Sequence, residues 1–160
     1  MEGRKLPFGY CYLFNASPYK VNQGPAPGEM EVIHEDVKRS GFLIEKRANA
    51  FFVIYENEKE IQLEQFSLNK PPKGETNFYL MNFKSDNGSI YPKAVYGDEL
   101  PELLFSNVYG PLTLFAPMDL WIDTKDKEGR VIHQLHLVTG ENQIVVLLLW
   151  GGKEYLFLVE

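Results

Sequence analysis

The sequence contains a single cysteine, Cys11, and no long apolar run. One thiol cannot form an intrachain disulfide, which excludes the framework of a small disulfide-rich secreted protein. The longest continuous apolar run extends over seven residues, from Ile144 to Trp150, whereas a membrane-spanning helix needs about 20. The aromatic run from Phe8 to Phe14 is too short and too polar for the core of a signal peptide. These features predict a soluble, cytoplasmic protein that does not enter a membrane.

Basic residues are also outnumbered, with 16 lysines and arginines against 22 aspartates and glutamates and a net charge of -6. A protein that binds nucleic acid through its phosphates needs a basic surface. Four lysines lie among aromatic residues in 65–97, a pattern that can bind single-stranded nucleic acid. A sheet with its lysines in solvent and its aromatic residues in the core explains the pattern equally well. We therefore expect no nucleic-acid partner. Residues 98–160 carry ten acidic and four basic residues, which favours docking onto a protein of complementary charge.

The sequence lacks the common catalytic motifs, including the nucleophile elbow, the phosphate-binding lysine loop and the dinucleotide fingerprint. Cys11 has no base nearby in the sequence and is predicted to be buried as a small apolar residue. His133 and His136 lie three residues apart on a predicted strand, so they point to opposite faces and cannot chelate one ion together unless a bulge intervenes. We therefore predict no catalytic residue, no metal and no cofactor.

Length and composition predict one globular domain over residues 1–160. The chain is 44% hydrophobic and 14% aromatic, far from the composition of a disordered protein. Prolines and glycines in 22–28 forbid regular structure there. We therefore expect an N-terminal arm and loop over 1–28, followed by a β-rich body over 29–160.

Alternation with a period of two predicts strands through most of this body. Strands are predicted at 51–55, around Ile61 and Leu63, and at five places in the last fifty residues, which form a meander. Gly151-Gly152 is typical of a two-residue hairpin turn, and so is Asn87-Gly88, which would join strands at 78–83 and 90–96.

Two segments have helical signals. In 29–40, Met30, Ile33 and Val37 have the spacing of a helix face, although a strand over 30–33 is the competing interpretation. A second, short helix is predicted over 98–107. The fold class is therefore mainly β, with α+β as an alternative. We expect an antiparallel barrel or sandwich of about eight or nine strands with one or two short helices.

The run from Ile144 to Trp150 has no polar face, so a strand there must be covered on both sides. A helix, a second sheet or a partner subunit would cover the second side. The helix over 29–40 is the natural cover, and without it a homodimer through this strand is favoured.

The segment 118–123 provides the candidate binding site. Alternation directs Met118, Leu120 and Ile122 to the core and leaves Asp119, Trp121 and Asp123 on the outer face. An indole between two carboxylates suits a sugar ring or a cationic side chain of a partner. In the competing interpretation, a neighbouring element covers Trp121 and the aspartates merely border it.

The sequence favours a non-enzymatic binding module that docks a protein partner through an acidic β-rich surface, as an inhibitor, immunity or adaptor protein does. One alternative is a β-barrel that binds a small ligand or carbohydrate at an aromatic-lined site. Another is an enzyme of unrecognised type, with catalytic groups drawn from scattered positions.

Overall fold

A computed structural model describes residues 4–9, 11–17, 30–33, 49–84, 86, 88–94, 97 and 99–160. The fold of this part of the chain is mainly β, and none of its residues is helical. The strands are β1 (Arg4–Leu6), β2 (Cys11–Ala16), β3 (Met30–Ile33), β4 (Ala50–Asn57), β5 (Glu60–Ser67), β6 (Glu75–Phe83), β7 (Tyr91–Ala94), β8 (Val108–Phe115), β9 (Asp119–Lys125), β10 (Val131–Val138), β11 (Gln143–Trp150) and β12 (Lys153–Val159).

The contacts divide the chain into two compact units, Met1–Leu6 with Asn69–Glu160, and Pro7–Leu68. We call the first the sandwich unit and the second the four-stranded unit. This division does not test the prediction of a single domain over 1–160 with an N-terminal arm over 1–28, which stays a prediction.

The sandwich unit contains two sheets. One has five strands in the order β1-β12-β11-β6-β8, and the other has three in the order β10-β9-β7. Side chains from facing sides of the two sheets form one hydrophobic core, which includes Phe78, Leu80, Val145, Leu147, Leu149 and Leu156 from the first sheet and Leu120, Ile122, Leu135 and Leu137 from the second. Within the described residues no sheet closes on itself. Of the two predicted architectures, barrel and sandwich, the structure therefore shows the sandwich.

Strand β11 is the central strand of the larger sheet. It pairs in parallel with β6 and antiparallel with β12. Its apolar side chains are buried on both faces from Ile144 to Leu149, as its sequence predicts. The homodimer through this strand stays a prediction. To form it, a second copy would have to replace contacts that already bury both faces of the strand.

Two tight turns show how local sequence fixes the hairpins. Gly151 and Gly152 have φ of 60° and 73° and join β11 to β12 in the predicted two-residue turn. Glu58 and Lys59 have φ of 52° and 67° and join β4 to β5 in the same way. The strands predicted at 51–55 and around Ile61 are therefore confirmed as one hairpin.

The helix predictions are wrong within the described residues. Met30–Ile33 is strand β3, as the competing interpretation held, and residues 34–40 lie outside the described part of the chain. No helix forms over 99–107, because the amide and the carbonyl of Leu103 are both hydrogen-bonded to Ile90, at 2.9 and 3.0 Å. That bridge takes the backbone groups that a helix would need.

The predicted hairpin at Asn87-Gly88 is also wrong. Strand β6 pairs with β8 and β11, whereas β7 pairs with β9 in the other sheet. Likewise, the last five strands lie where the sequence predicts them but do not form one meander, because β9 and β10 belong to the smaller sheet and the other three to the larger one.

The four-stranded unit has the order β3-β2-β4-β5. Strand β2 pairs in parallel with β3 and with β4, and β4 pairs antiparallel with β5. Cys11 lies in β2, where its side chain is buried, and belongs to a small apolar cluster with Leu13, Ala50, Phe52 and Ile54.

Candidate functional site

Strand β9 runs through the middle of the three-stranded sheet and carries the residues of the candidate site. Leu120 and Ile122 point into the sandwich core. Asp119, Trp121 and Asp123 lie on the opposite face, where Trp121 keeps 40% of its surface exposed. These directions are the ones that alternation along the strand predicts. The binding role of the three residues stays a prediction.

His136 of strand β10 is the nearest neighbour of Trp121 on this face. The two residues are paired across the ladder, and their rings stack with centroids 3.8 Å apart and planes 11° apart. Stacking between cross-strand aromatic rings restricts the rotamers of both. The indole is therefore held in a fixed orientation with one of its faces occupied by the imidazole.

Hydrogen bonds fix the two carboxylates beside this stack. Nε2 of His136 lies 2.8 Å from Oδ1 of Asp119, and Nε2 of Gln134 donates to Oδ1 of Asp123 at 3.0 Å. Among the described residues, the indole N–H and the second oxygen of each carboxylate have no hydrogen-bond partner. The site therefore offers one donor and two acceptors around a rigid ring.

The charge of this face is mixed. Lys93 of strand β7 is the ladder partner of Asp123, and Lys125 lies two residues further along β9 on the same face. Two lysines therefore border one end of the site, while Asp119, whose side chain is 69% exposed, marks the other end. The negative potential is concentrated at the Asp119 end.

The opposite side of the same ladder contains a second polar pair. Nδ1 of His133 lies 2.7 Å from Oε2 of Glu154 in strand β12, and the imidazole is only 8% exposed. The hydroxyl of Thr124, the ladder partner of His133, is buried and has no hydrogen-bond partner among the described residues. The two histidines thus point to opposite sides of the sheet, as their spacing predicts.

A β-bulge in strand β10 places His136 beside Trp121, and the sequence pattern alone did not reveal it. The register shifts between Val131 and His133, so Ile132 is an extra residue in β10. Continuing the register of the Val131–Lys125 pair without the bulge would place His136 opposite Leu120, inside the core. The bulge moves His136 to the outer face, opposite Trp121.

The loop that joins β9 to β10 is organised by Asp126. Its Oδ1 accepts hydrogen bonds from the amides of Glu128 and Arg130 at 3.0 and 2.9 Å, and its Oδ2 accepts one from Nε of Arg130 at 2.9 Å. Burial acts to raise the pKa of this carboxyl, but the hydrogen bonds and the charge of Arg130 lower it below its ordinary value.

No group of three or more metal-ligating side chains occurs in the ranges that the structure describes. In the same ranges, no helix has the length and apolarity needed to cross a membrane. Comparison with known proteins finds no family model that matches the chain, and no curated protein that matches it.

Proposed function

We propose that this protein is a non-enzymatic binding module that docks a protein partner on the outer face of its three-stranded sheet. The observation that carries the proposal is the Trp121–His136 stack, which holds an exposed indole rigidly at the centre of a sheet. Tryptophan is enriched among the residues that dominate binding energy in protein interfaces. A rigid anchor loses little conformational entropy when a partner covers it.

The polar groups around the indole indicate the chemistry of the partner. Asp119 and Asp123 each keep one carboxylate oxygen free of hydrogen bonds to the described residues. A guanidinium group beside Asp119 could donate to its free carboxylate oxygen and contact the open side of the ring. We therefore propose that the partner inserts an arginine at the Asp119 end of the face, away from Lys93 and Lys125.

A matched pair of triple variants tests the docking face. One variant, D119N/W121A/D123N, removes the site, and its control, E102Q/F115A/E141Q, makes the same kinds of change at exposed residues elsewhere. Proteins captured by the wild type and by the control but lost with the site variant are identified, purified and titrated by calorimetry. We expect affinity to fall by about thirtyfold or more, the loss typical of an interface hot spot. Equal affinity for the two variants would exclude this face.

Carbohydrate binding is the second candidate, because an indole flanked by carboxylates also suits a sugar ring. The protein has two tryptophans, so the indole N–H resonance of Trp121 can be assigned with a Trp121→Phe variant. We expect an arginine-containing peptide to shift this resonance and neutral oligosaccharides to leave it unchanged. A shift with oligosaccharides alone would make carbohydrate binding the better interpretation.

The proposal also locates the protein in the cytoplasm, where a cysteine such as Cys11 is stable in its reduced form. Fractionation of the source cells tests this part of the proposal directly.

A further inference from the structure

Strand β10 forms one edge of the three-stranded sheet, and no other described strand pairs with it on the side away from β9. It pairs only with β9, and no residue of the strand has a further hydrogen bond to its outer edge among the described residues. Eight residues, Val131–Val138, therefore present one row of unpaired backbone groups. Such an edge is a template for another strand unless side chains block it.

Apart from the bulge at its beginning, β10 contains none of the features that usually block an edge. It has no aspartate, glutamate, lysine, arginine, proline or glycine. Its bulge lies at its beginning, so the ladder is regular from His133 to Val138. Val138, the last residue of the strand, is 62% exposed. Nothing in the regular part of the strand prevents a partner strand from adding to it.

The other edges of the described sheets are protected. Strand β1 has three residues, two of them basic, and β3 has only four residues. Strand β7 has four residues including Pro92 and Lys93, and β8 contains Pro111, which has no amide hydrogen to donate. Strand β5 is as long as β10 but carries Glu60 and Glu64. The contrast identifies β10 as the edge that is free to pair.

We propose that β10 pairs antiparallel with β10 of a second copy of this chain, so that two three-stranded sheets join into one of six strands. On a second copy the other described edges are protected in the same way. The β10 edge is therefore the only one of these edges that can accept β10 as a neighbour. A strand that pairs with itself about a two-fold axis forms a closed dimer and leaves no edge for further addition. Strand β10 has no aspartate, glutamate, lysine or arginine, so self-pairing avoids the repulsion that these residues bring to a charged strand.

The geometry of the sandwich suits this arrangement. Residues opposite each other in an antiparallel ladder point to the same face, so Leu135 and Leu137 of the two copies would extend the apolar layer across the axis. On the outer face, the two Trp121–His136 stacks would lie on one continuous surface. The dimer is independent of the proposed function, which requires only one copy of the docking face.

Sedimentation equilibrium over a concentration series tests the dimer. We expect the wild type to dimerise and the variant Q134K/V138K, which places two lysines in the self-pairing strand, to raise the dissociation constant by at least about tenfold. The control F115K adds a lysine at a 75% exposed residue of β8 and should leave the dimer unchanged. Far-UV circular dichroism verifies that each variant is folded. A wild type that is monomeric up to its solubility limit overturns the proposal, and so does a dimer that F115K weakens as much as Q134K/V138K does.

Charge complementation identifies the strand that forms the interface. Mixing Q134K/V138K with Q134E/V138E should restore a heterodimer, because β10 of one copy meets β10 of the other. Hydrogen exchange of the peptide 131–138 should slow with increasing wild-type concentration, since its outer amides become hydrogen-bonded only in the dimer. A dimer without these two effects would form through another surface and would refute strand addition at β10.

Discussion

Two buried threonines of the sandwich unit should respond in opposite directions to the same substitution. The Thr124 side chain is fully buried, and its hydroxyl has no hydrogen-bond partner in the described part of the chain. The hydroxyl of Thr139 is also buried, but it accepts a hydrogen bond from the amide of Met118 at 3.0 Å. Valine has nearly the shape of threonine, so each Thr→Val change removes a hydroxyl with little effect on packing.

The magnitudes follow from what each hydroxyl does in the folded state. A buried hydroxyl without a partner costs about 1–3 kcal/mol of desolvation free energy, and Thr124→Val removes that cost. We expect the free energy of unfolding to rise by about 1–2 kcal/mol, or the melting temperature by about 3–6 °C for a chain of this size. Thr139→Val leaves the Met118 amide unpaired and should lower the free energy of unfolding by about 1–2 kcal/mol.

Urea denaturation followed by tryptophan fluorescence measures both changes, and an unchanged dependence on urea concentration shows that the unfolded states are comparable. The two variants are controls for each other, because they share the chemical change and differ in hydrogen bonding. If Thr124→Val destabilises the protein as much as Thr139→Val, the hydroxyl of Thr124 has a partner in the native state and the reasoning fails.

The remaining predictions concern a strand and a loop. Gly110 has a φ of 137°, and a Cβ there would lie 2.6 Å from the carbonyl oxygen of Phe78, so Gly110→Ala should cost at least about 3 kcal/mol from backbone strain and overpacking together. The control Gly74→Ala has a φ of 83° and open space around its Cβ, so it should cost only about 1–2 kcal/mol; equal losses in urea denaturation would contradict this. The lowered pKa of Asp126 means that its charge stabilises the fold above the ordinary carboxyl pKa and that this contribution is lost as the pH falls through the lowered value. Asp126→Asn keeps the Oδ1 acceptor but removes the charge that faces Arg130, so the stability difference from wild type should shrink with acidification; a difference that is constant with pH would show that the ion pair contributes nothing.

The sequence was most informative where a feature depends on neighbouring residues alone. The Gly151-Gly152 turn follows from the freedom of glycine to adopt positive φ. The outward direction of Asp119, Trp121 and Asp123 follows from the period of a strand. The two helix predictions failed because the same apolar spacing that suits a helix face also suits short strands and bridges, and long-range pairing decided between them.

The candidate site shows the same division. The sequence by itself determined that Trp121 lies on the outer face between two carboxylates, because alternation needs no information from outside the strand. Only the tertiary structure decided that His136 stacks on it, because that contact depends on one extra residue in the neighbouring strand at Ile132. It also decided which strands are edges, since strand order results from the packing of two sheets around one core. Local geometry is encoded in adjacent residues, whereas register and strand order are set by contacts between residues far apart in the chain.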